Sequence, residues 1–216
     1  MRASTLPEET GRLFVAVPVS PEAREACRLL IEEVRAGPAG NAARWIRTEN
    51  LHLTVSFLGD TSLAMVATIA EAMRAAVSTR PPFPITLTGA GVFPVGHRPR
   101  ALWLGIDHGA AELTALARAL DAPLAGIGWP PEGRPLRPHL TVARIDAAPA
   151  SSGTAVASAL IRAVTTWRVT FPADRIVLYR SHLGGGPPRY EPIAEAVLGD
   201  SQPRGVTPTS GVTPRG

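Results

Sequence analysis

Residues 51–59 read LHLTVSFLG and residues 137–144 read RPHLTVAR, so the tetrapeptide HLTV stands at His52–Val55 and again at His139–Val142. Side chains alternate along a strand, which puts His52, Thr54 and Ser56 on one face and Leu51, Leu53, Val55 and Phe57 on the other. The apolar set is the core face, so the histidine and threonine share an accessible one. In the second copy Leu140 and Val142 face inward while His139 and Thr141 face outward. Cα atoms two residues apart in a strand are separated by roughly 6.5 Å. Both side chains of a pair can therefore converge on one small group.

The flanking segments alternate strands with helices. RLFVAVPV (12–19) reads as a strand. A helix follows, with Ser20 as N-cap, Pro21 at the first helical position, Gly37 as the stop, and Cys27, Leu30, Ile31 and Val34 as its buried stripe. A second helix is predicted over 62–78, where Leu63, Val66, Ala70, Met73 and Val77 repeat at helical spacing. Strands at FPITLTGAGVF and RALWLGI, a helix over 110–124 and the Pro/Gly-rich GIGWPPEGRP lead into the second HLTV. A fourth helix over 152–164 precedes strands at WRVTFPA, DRIVLYRSHL and RYEPIAEAVL. Frequent hairpin-like connections favour antiparallel sheets. The expected fold is α+β and bilobal: two similar lobes, each a mainly antiparallel sheet with flanking helices, around a central cleft. The lobes are expected to meet near residue 105 within one domain, 1–200. SQPRGVTPTSGVTPRG (201–216) repeats Gly-Val-Thr-Pro with almost no large apolar residue and reads as a disordered tail.

Composition narrows the function classes. The single cysteine, Cys27, excludes an internal disulfide framework and fits a reducing compartment. No apolar run approaches the roughly 18 residues of a membrane span, and Glu8 and Glu9 interrupt the first segment where a signal peptide would be apolar. A cytoplasmic monomer with no membrane association is expected. All 22 basic residues are arginine, and the net charge is +4. Arg204 and Arg215 in the acid-free tail supply half of that excess. Placed arginines can bind one phosphate, but no broad nucleic-acid-binding surface is indicated.

Two imidazoles and two hydroxyls around an approximate two-fold axis suit a single central anion. One neutral imidazole takes a proton from water while the other, protonated, delivers one to a leaving oxygen. The threonine hydroxyls donate to the non-bridging oxygens. Histidine suits both tasks because its ordinary pKa lies near 6.5. A zinc site needs three or four ligands, and no cluster at typical spacing accompanies these histidines, so no metal or cofactor is expected.

Paired H-x-T-x motifs with the flanks RWIRTENLHLTVSFLGD, RALWLGI, RPHLTVAR and LYRSHL…RY resemble the 2H phosphoesterase superfamily. Within it, the bacterial and archaeal RNA 2′,3′-cyclic phosphodiesterases, first named 2′-5′ RNA ligases, are the similar group. The resemblance runs from about Arg12 to Val197. It implies a bilobal fold with one motif from each lobe, and hydrolysis of RNA 2′,3′-cyclic phosphate ends to 2′-phosphomonoesters, with 2′-5′ ligation as the reverse reaction. By matching position His52 is the general acid, His139 the general base, and Thr54 and Thr141 hold the phosphate. Arg144 matches a family arginine that contacts the phosphate, although simple alternation puts it on the face opposite His139; a twist or bulge at the strand end is needed. Two alternatives remain open. One is a 2H enzyme for ADP-ribose cyclic phosphate or 2′-5′ oligoadenylate; the other is a non-catalytic nucleotide- or RNA-binding module.

His97, His108 and His182 lack a threonine partner and are expected on the surface, and Trp45 is expected to pack against the core. Arg100 and Trp103 are expected to border the cleft, and Tyr179–Ser181 to support the second lobe. The glycines 184–186 are not a phosphate loop, because no helix follows them.

Overall fold

The structure, a computed structural model, describes residues 9–200 apart from 97, 132, 134, 147, 148, 183 and 185–187. The tail expected at 201–216, His97 and two of the three glycines lie outside the described residues. Among the described residues nine strands and four α-helices follow one another as β1 (Thr10–Pro18), α1 (Pro21–Ala36), β2 (Arg44–Trp45), β3 (His52–Ser62), α2 (Val66–Val77), β4 (Phe83–Phe93), β5 (Ala101–His108), α3 (Ala110–Ala125), β6 (Leu140–Arg144), α4 (Ala150–Ala163), β7 (Arg168–Ala173), β8 (Arg175–His182) and β9 (Arg189–Val197). No helix among the described residues is long and apolar enough to cross a membrane.

The α+β, bilobal expectation holds, with two wholly antiparallel sheets. One has the strand order β3-β1-β8-β9 and the other β2-β6-β5-β4-β7. The sheets do not divide near residue 105. The β4–β5 hairpin, expected beside the first HLTV strand, pairs instead with β6, and the C-terminal β8–β9 hairpin returns to pair with β1. Each sheet thus combines strands from both halves of the chain. Apart from short β2, the two orders correspond strand for strand: β3 matches β6, β1 matches β5, β8 matches β4 and β9 matches β7.

The helices interlock the lobes further. α1 follows a strand of the first sheet but packs against α4 and β7, while α3 follows β5 of the second sheet but packs against α2 and β3. The Ser20 hydroxyl caps α1 by accepting from the Ala23 N–H at 3.2 Å, and Cys27, Leu30, Ile31 and Val34 are buried as the stripe predicts. Burial pushes the Cys27 thiol up to about 12, so it is an inert packing residue. α3 starts at Gly109, whose φ of 90° and close approach to the Pro84 carbonyl leave no room for a side chain.

Among the described residues one apolar cluster takes residues from both sheets and from the helices, including Leu13, Leu53, Met73, Leu102, Leu140 and Leu160. Leu51, Leu53 and Val55 are buried in it, and each contributes roughly 2 kcal/mol by leaving water. A slip of one residue in β3 would exchange these for His52 and Thr54. Core burial therefore sets the register that exposes the histidine.

Candidate active site

His52 opens β3, an edge strand, and its imidazole is fixed from behind. Nδ1 lies 2.7 Å from the Asn50 carbonyl oxygen. A carbonyl only accepts, so Nδ1 carries the hydrogen and Nε2 is left for chemistry. Asn50 is itself buried, and its side-chain amide donates to the Pro188 carbonyl at 2.7 Å. One residue thus orients the imidazole and ties its support to the start of β9. Aromatic rings complete the enclosure: Phe14 at 4.8 Å, Tyr190 edge-on at 5.2 Å and Tyr179 at 6.1 Å from the imidazole centroid. Burial pushes the His52 pKa down to about 4; the Asn50 carbonyl opposes that shift and the charge of His139 adds to it. His52 is therefore neutral at pH 7.

His139 precedes β6 and repeats the device. Its Nδ1 lies 2.6 Å from the Arg137 carbonyl oxygen, again two residues upstream, which leaves Nε2 free. Phe93 meets the ring edge-on at 5.1 Å and Trp103 at 6.3 Å. Trp103 stands opposite Thr141 in the β5–β6 register and its ring covers Gly91. β3 and β6 pack against each other, and the charge of His139 acts on His52.

Two bulges decide which other residues face the cleft. In the β5–β6 pairing Leu102 opposes Ala143 and Trp103 opposes Thr141, so Val142 is the extra residue. Val142 and Ala143 are both buried, and Arg144 is turned outward to the face of His139 and Thr141. The conflict between alternation and the Arg144 assignment disappears there. Burial raises the Tyr190 pKa, and the nearby charges of Arg144, Arg44 and Arg12 work against that. The charge of Arg144 thus reaches Tyr190, a residue of the other sheet.

The second bulge overturns an expectation. In β3, Thr54 opposes Ala16 and Ser56 opposes Val15, which leaves Val55 extra, and a further irregularity follows at Leu58. Phe57 therefore pairs with Phe14 and is 60% exposed, not on the core face. Ser56 moves correspondingly to the side of buried Val15. Gly59, at φ 68°, gives the backbone the left-handed residue this kinked stretch uses.

Other expected placements divide. Trp45 packs against the core and donates its indole N–H to the Gly40 carbonyl at 2.9 Å, and Trp103 borders the cleft. Arg100 donates to the Asp146 carbonyl at 3.2 Å, beside the Arg44–Asp146 ion pair of 2.8 Å. His108 is exposed, whereas His182 is partly buried and bonded to Glu191 at 2.6 Å. Tyr179 supports the His52 lobe and not the His139 lobe, because β8 pairs with β1. Asn50, Phe14, Phe93 and Tyr190 were not anticipated. Asn50 had a signal: it occupies the position two residues before the histidine, whose carbonyl the ring uses. Among the described residues no three His, Cys, Asp or Glu side chains cluster as metal ligands do.

Comparison with known proteins agrees with this geometry. The sequence profile of the 2′-5′ RNA ligase superfamily matches residues 3–185. An RNA 2′,3′-cyclic phosphodiesterase of Geobacillus stearothermophilus is 33% identical over 184 residues, which span 84% of this chain and 55% of that protein. A protein of the same name from Aquifex aeolicus is 32% identical, over 87% of this chain and 97% of the relative. The crystal structure of Escherichia coli LigT complexed with 3′-AMP superposes with a TM-score of 0.67 at 29% identity, covering 88% of this chain and 99% of LigT. The twin His-Thr strands, the paired lobes and these matches lead to one conclusion: the chain belongs to the 2′-5′ RNA ligase superfamily of 2H phosphoesterases.

Proposed function

We propose that the chain hydrolyses the 2′,3′-cyclic phosphate end of RNA to a 2′-phosphomonoester by acid–base catalysis between His52 and His139. The observation that carries the reading is the matched support of the imidazoles, each Nδ1 held by the carbonyl two residues upstream so that each Nε2 is free. Relatives named RNA 2′,3′-cyclic phosphodiesterase support it, as does a related enzyme that binds 3′-AMP.

In the proposed reaction, His139 Nε2 takes a proton from water as its oxygen attacks phosphorus. The bond from phosphorus to O3′ breaks, and His52 Nε2–H gives its proton to that oxygen. Thr54 and Thr141 hydroxyls donate to the non-bridging oxygens, and the Arg144 guanidinium offsets the charge that accumulates there. With its pKa lowered to about 4 by burial, His52 acquires its proton together with the substrate. The anionic phosphodiester beside Nε2 favours the charged imidazolium and reverses the effect of burial. A 5′-hydroxyl in place of water follows the same sequence: its oxygen attacks phosphorus, the bond to O3′ breaks, and a 2′-5′ phosphodiester forms.

The test is turnover of a nucleoside 2′,3′-cyclic phosphate in excess EDTA, with the product identified by phosphorus NMR. The 2′-monophosphate should form, and His52→Ala and His139→Ala should each lower kcat by about 10²–10⁴-fold, the usual worth of a general acid or base. Turnover abolished by EDTA, a 3′-monophosphate product or a normal rate in either variant would contradict the reading.

A further inference from the structure

We propose that Arg12 and Arg44 bind the 5′-phosphate of the nucleotide that carries the cyclic phosphate, which selects RNA ends over nucleoside 2′,3′-cyclic phosphates. This rests on the hydrolysis reading above and adds to it a second phosphate subsite.

The two arginines come from different sheets. Arg44 of β2 stands directly opposite Arg144 of β6. Like charges so placed destabilise a sheet, and Asp146 offsets only part of the effect by accepting from Arg44 Nε at 2.8 Å. The two terminal nitrogens of Arg44 have no acceptor among the described residues. Arg12 lies in the other sheet, where Arg12, Ser181 and Tyr190 are opposed in turn across β1, β8 and β9. Residues opposed in this way share a face, and Arg12 stands two positions before Phe14 on that face. Phe14 and Tyr190 both pack on the His52 imidazole, with ring centroids at 4.8 and 5.2 Å. The row of Arg12 therefore lies beside the proposed acid. The charges of Arg144, Arg44 and Arg12, all three exposed, reach the same Tyr190.

These cations exceed what one phosphodiester needs. Among the described residues Arg12 and Arg144 pair with no carboxylate, although Asp60 stands opposite Arg12 in the β1–β3 register. The cyclic phosphate carries one negative charge, which Arg144 offsets in the reaction above. Arg12 and the terminal nitrogens of Arg44 are left for another anion. The hydroxyls of Ser181 and Tyr190, without partners among the described residues, add two neutral donors on the same face.

The covalent structure of RNA supplies that anion. O3′, which His52 protonates, is carried by C3′, and the next carbon, C4′, carries C5′ and its phosphate. The 5′-phosphate therefore extends from the His52 side of the reacting phosphorus, where Arg12 and Tyr190 stand. The attacking water approaches from the His139 side.

The test measures kcat/KM for adenosine 2′,3′-cyclic phosphate and for the same compound with a 5′-phosphate. Wild-type protein, Arg12→Gln, Arg44→Gln and Arg12→Lys are compared. The wild type should prefer the 5′-phosphorylated compound. That preference should fall about tenfold in each glutamine variant, as expected for one lost charge-assisted contact. Arg12→Lys, which keeps the charge, should retain most of it. Equal kcat/KM for both compounds in the wild type, or an unchanged preference in either glutamine variant, would overturn the proposal. Calorimetric binding of adenosine 2′,5′-bisphosphate and adenosine 2′-monophosphate separates the subsite from the reaction. If neither cyclic compound is hydrolysed while preference for the bisphosphate depends on Arg12 and Arg44, the subsite stands and the reaction fails. If both are hydrolysed with equal kcat/KM, the reaction stands and the subsite fails.

Discussion

Replacing His52 with glutamine should make the protein less sensitive to acid, by an amount that the structure sets. The folded protein holds His52 at a pKa of about 4, whereas the unfolded chain titrates it near 6.5. As pH falls below 6.5, the unfolded chain binds a proton that the folded protein refuses. Stability is then lost until the folded pKa is reached. At pH 7.5 neither state is protonated and the effect vanishes. At pH 5 the difference is about 2 kcal/mol, and it approaches roughly 3 kcal/mol below pH 4. The assay is urea unfolding of wild type and His52→Gln at both pH values. Subtracting the variant removes every other titrating group. The wild type should lose about 2 kcal/mol more than the variant on going from pH 7.5 to 5, or about 1 M in urea midpoint. Adding adenosine 2′-monophosphate should shrink the gap, because the bound anion stabilises the imidazolium. An equal loss in the two proteins would refute the view that the aromatic enclosure keeps His52 neutral.

Asn50→Ala and Asn50→Asp should each lower kcat about tenfold with a smaller change in KM, since either change loses the bond to Pro188 and loosens the carbonyl that orients His52. Equal kcat for wild type and Asn50→Asp, which has the same shape but cannot donate, would limit Asn50 to packing. Gly91→Ala should reduce turnover and cost about 1–3 kcal/mol in thermal or urea unfolding, because a methyl there overlaps the Trp103 ring that packs on His139. A variant with normal kcat and stability would show that the ring can move without disturbing the imidazole.

The twin motifs were legible because a strand writes its two faces into the sequence at period two. His52, Thr54, His139 and Thr141 could be placed from their own neighbours alone. What escaped that reading depends on partners. The bulges at Val55 and Val142 exist only where β3 meets β1 and β6 meets β5, so nothing within either strand marks the extra residue. Their effects run in the same direction: each turns outward a residue that simple alternation puts on the core face, Arg144 in β6 and Phe57 in β3. The exchange of hairpins escaped for a related reason. β4–β5 and β8–β9 are ordinary hairpins whose sequences do not specify which edge they join. The division expected near residue 105 assumed that neighbours in sequence are neighbours in space. Enclosure of His52 by Phe14, Tyr179 and Tyr190 depends on that exchange, since two of the three rings come from the returning hairpin.

The central claim is that His52 and His139 act from opposite sides on a single phosphorus atom. A crystal structure of the protein with adenosine 2′-monophosphate tests it most directly. The account predicts one phosphate with both Nε2 atoms within hydrogen-bond reach on opposite faces, and with the hydroxyls of Thr54 and Thr141 on the remaining oxygens. A phosphate bound to only one histidine, or both histidines on the same side of it, would contradict the account.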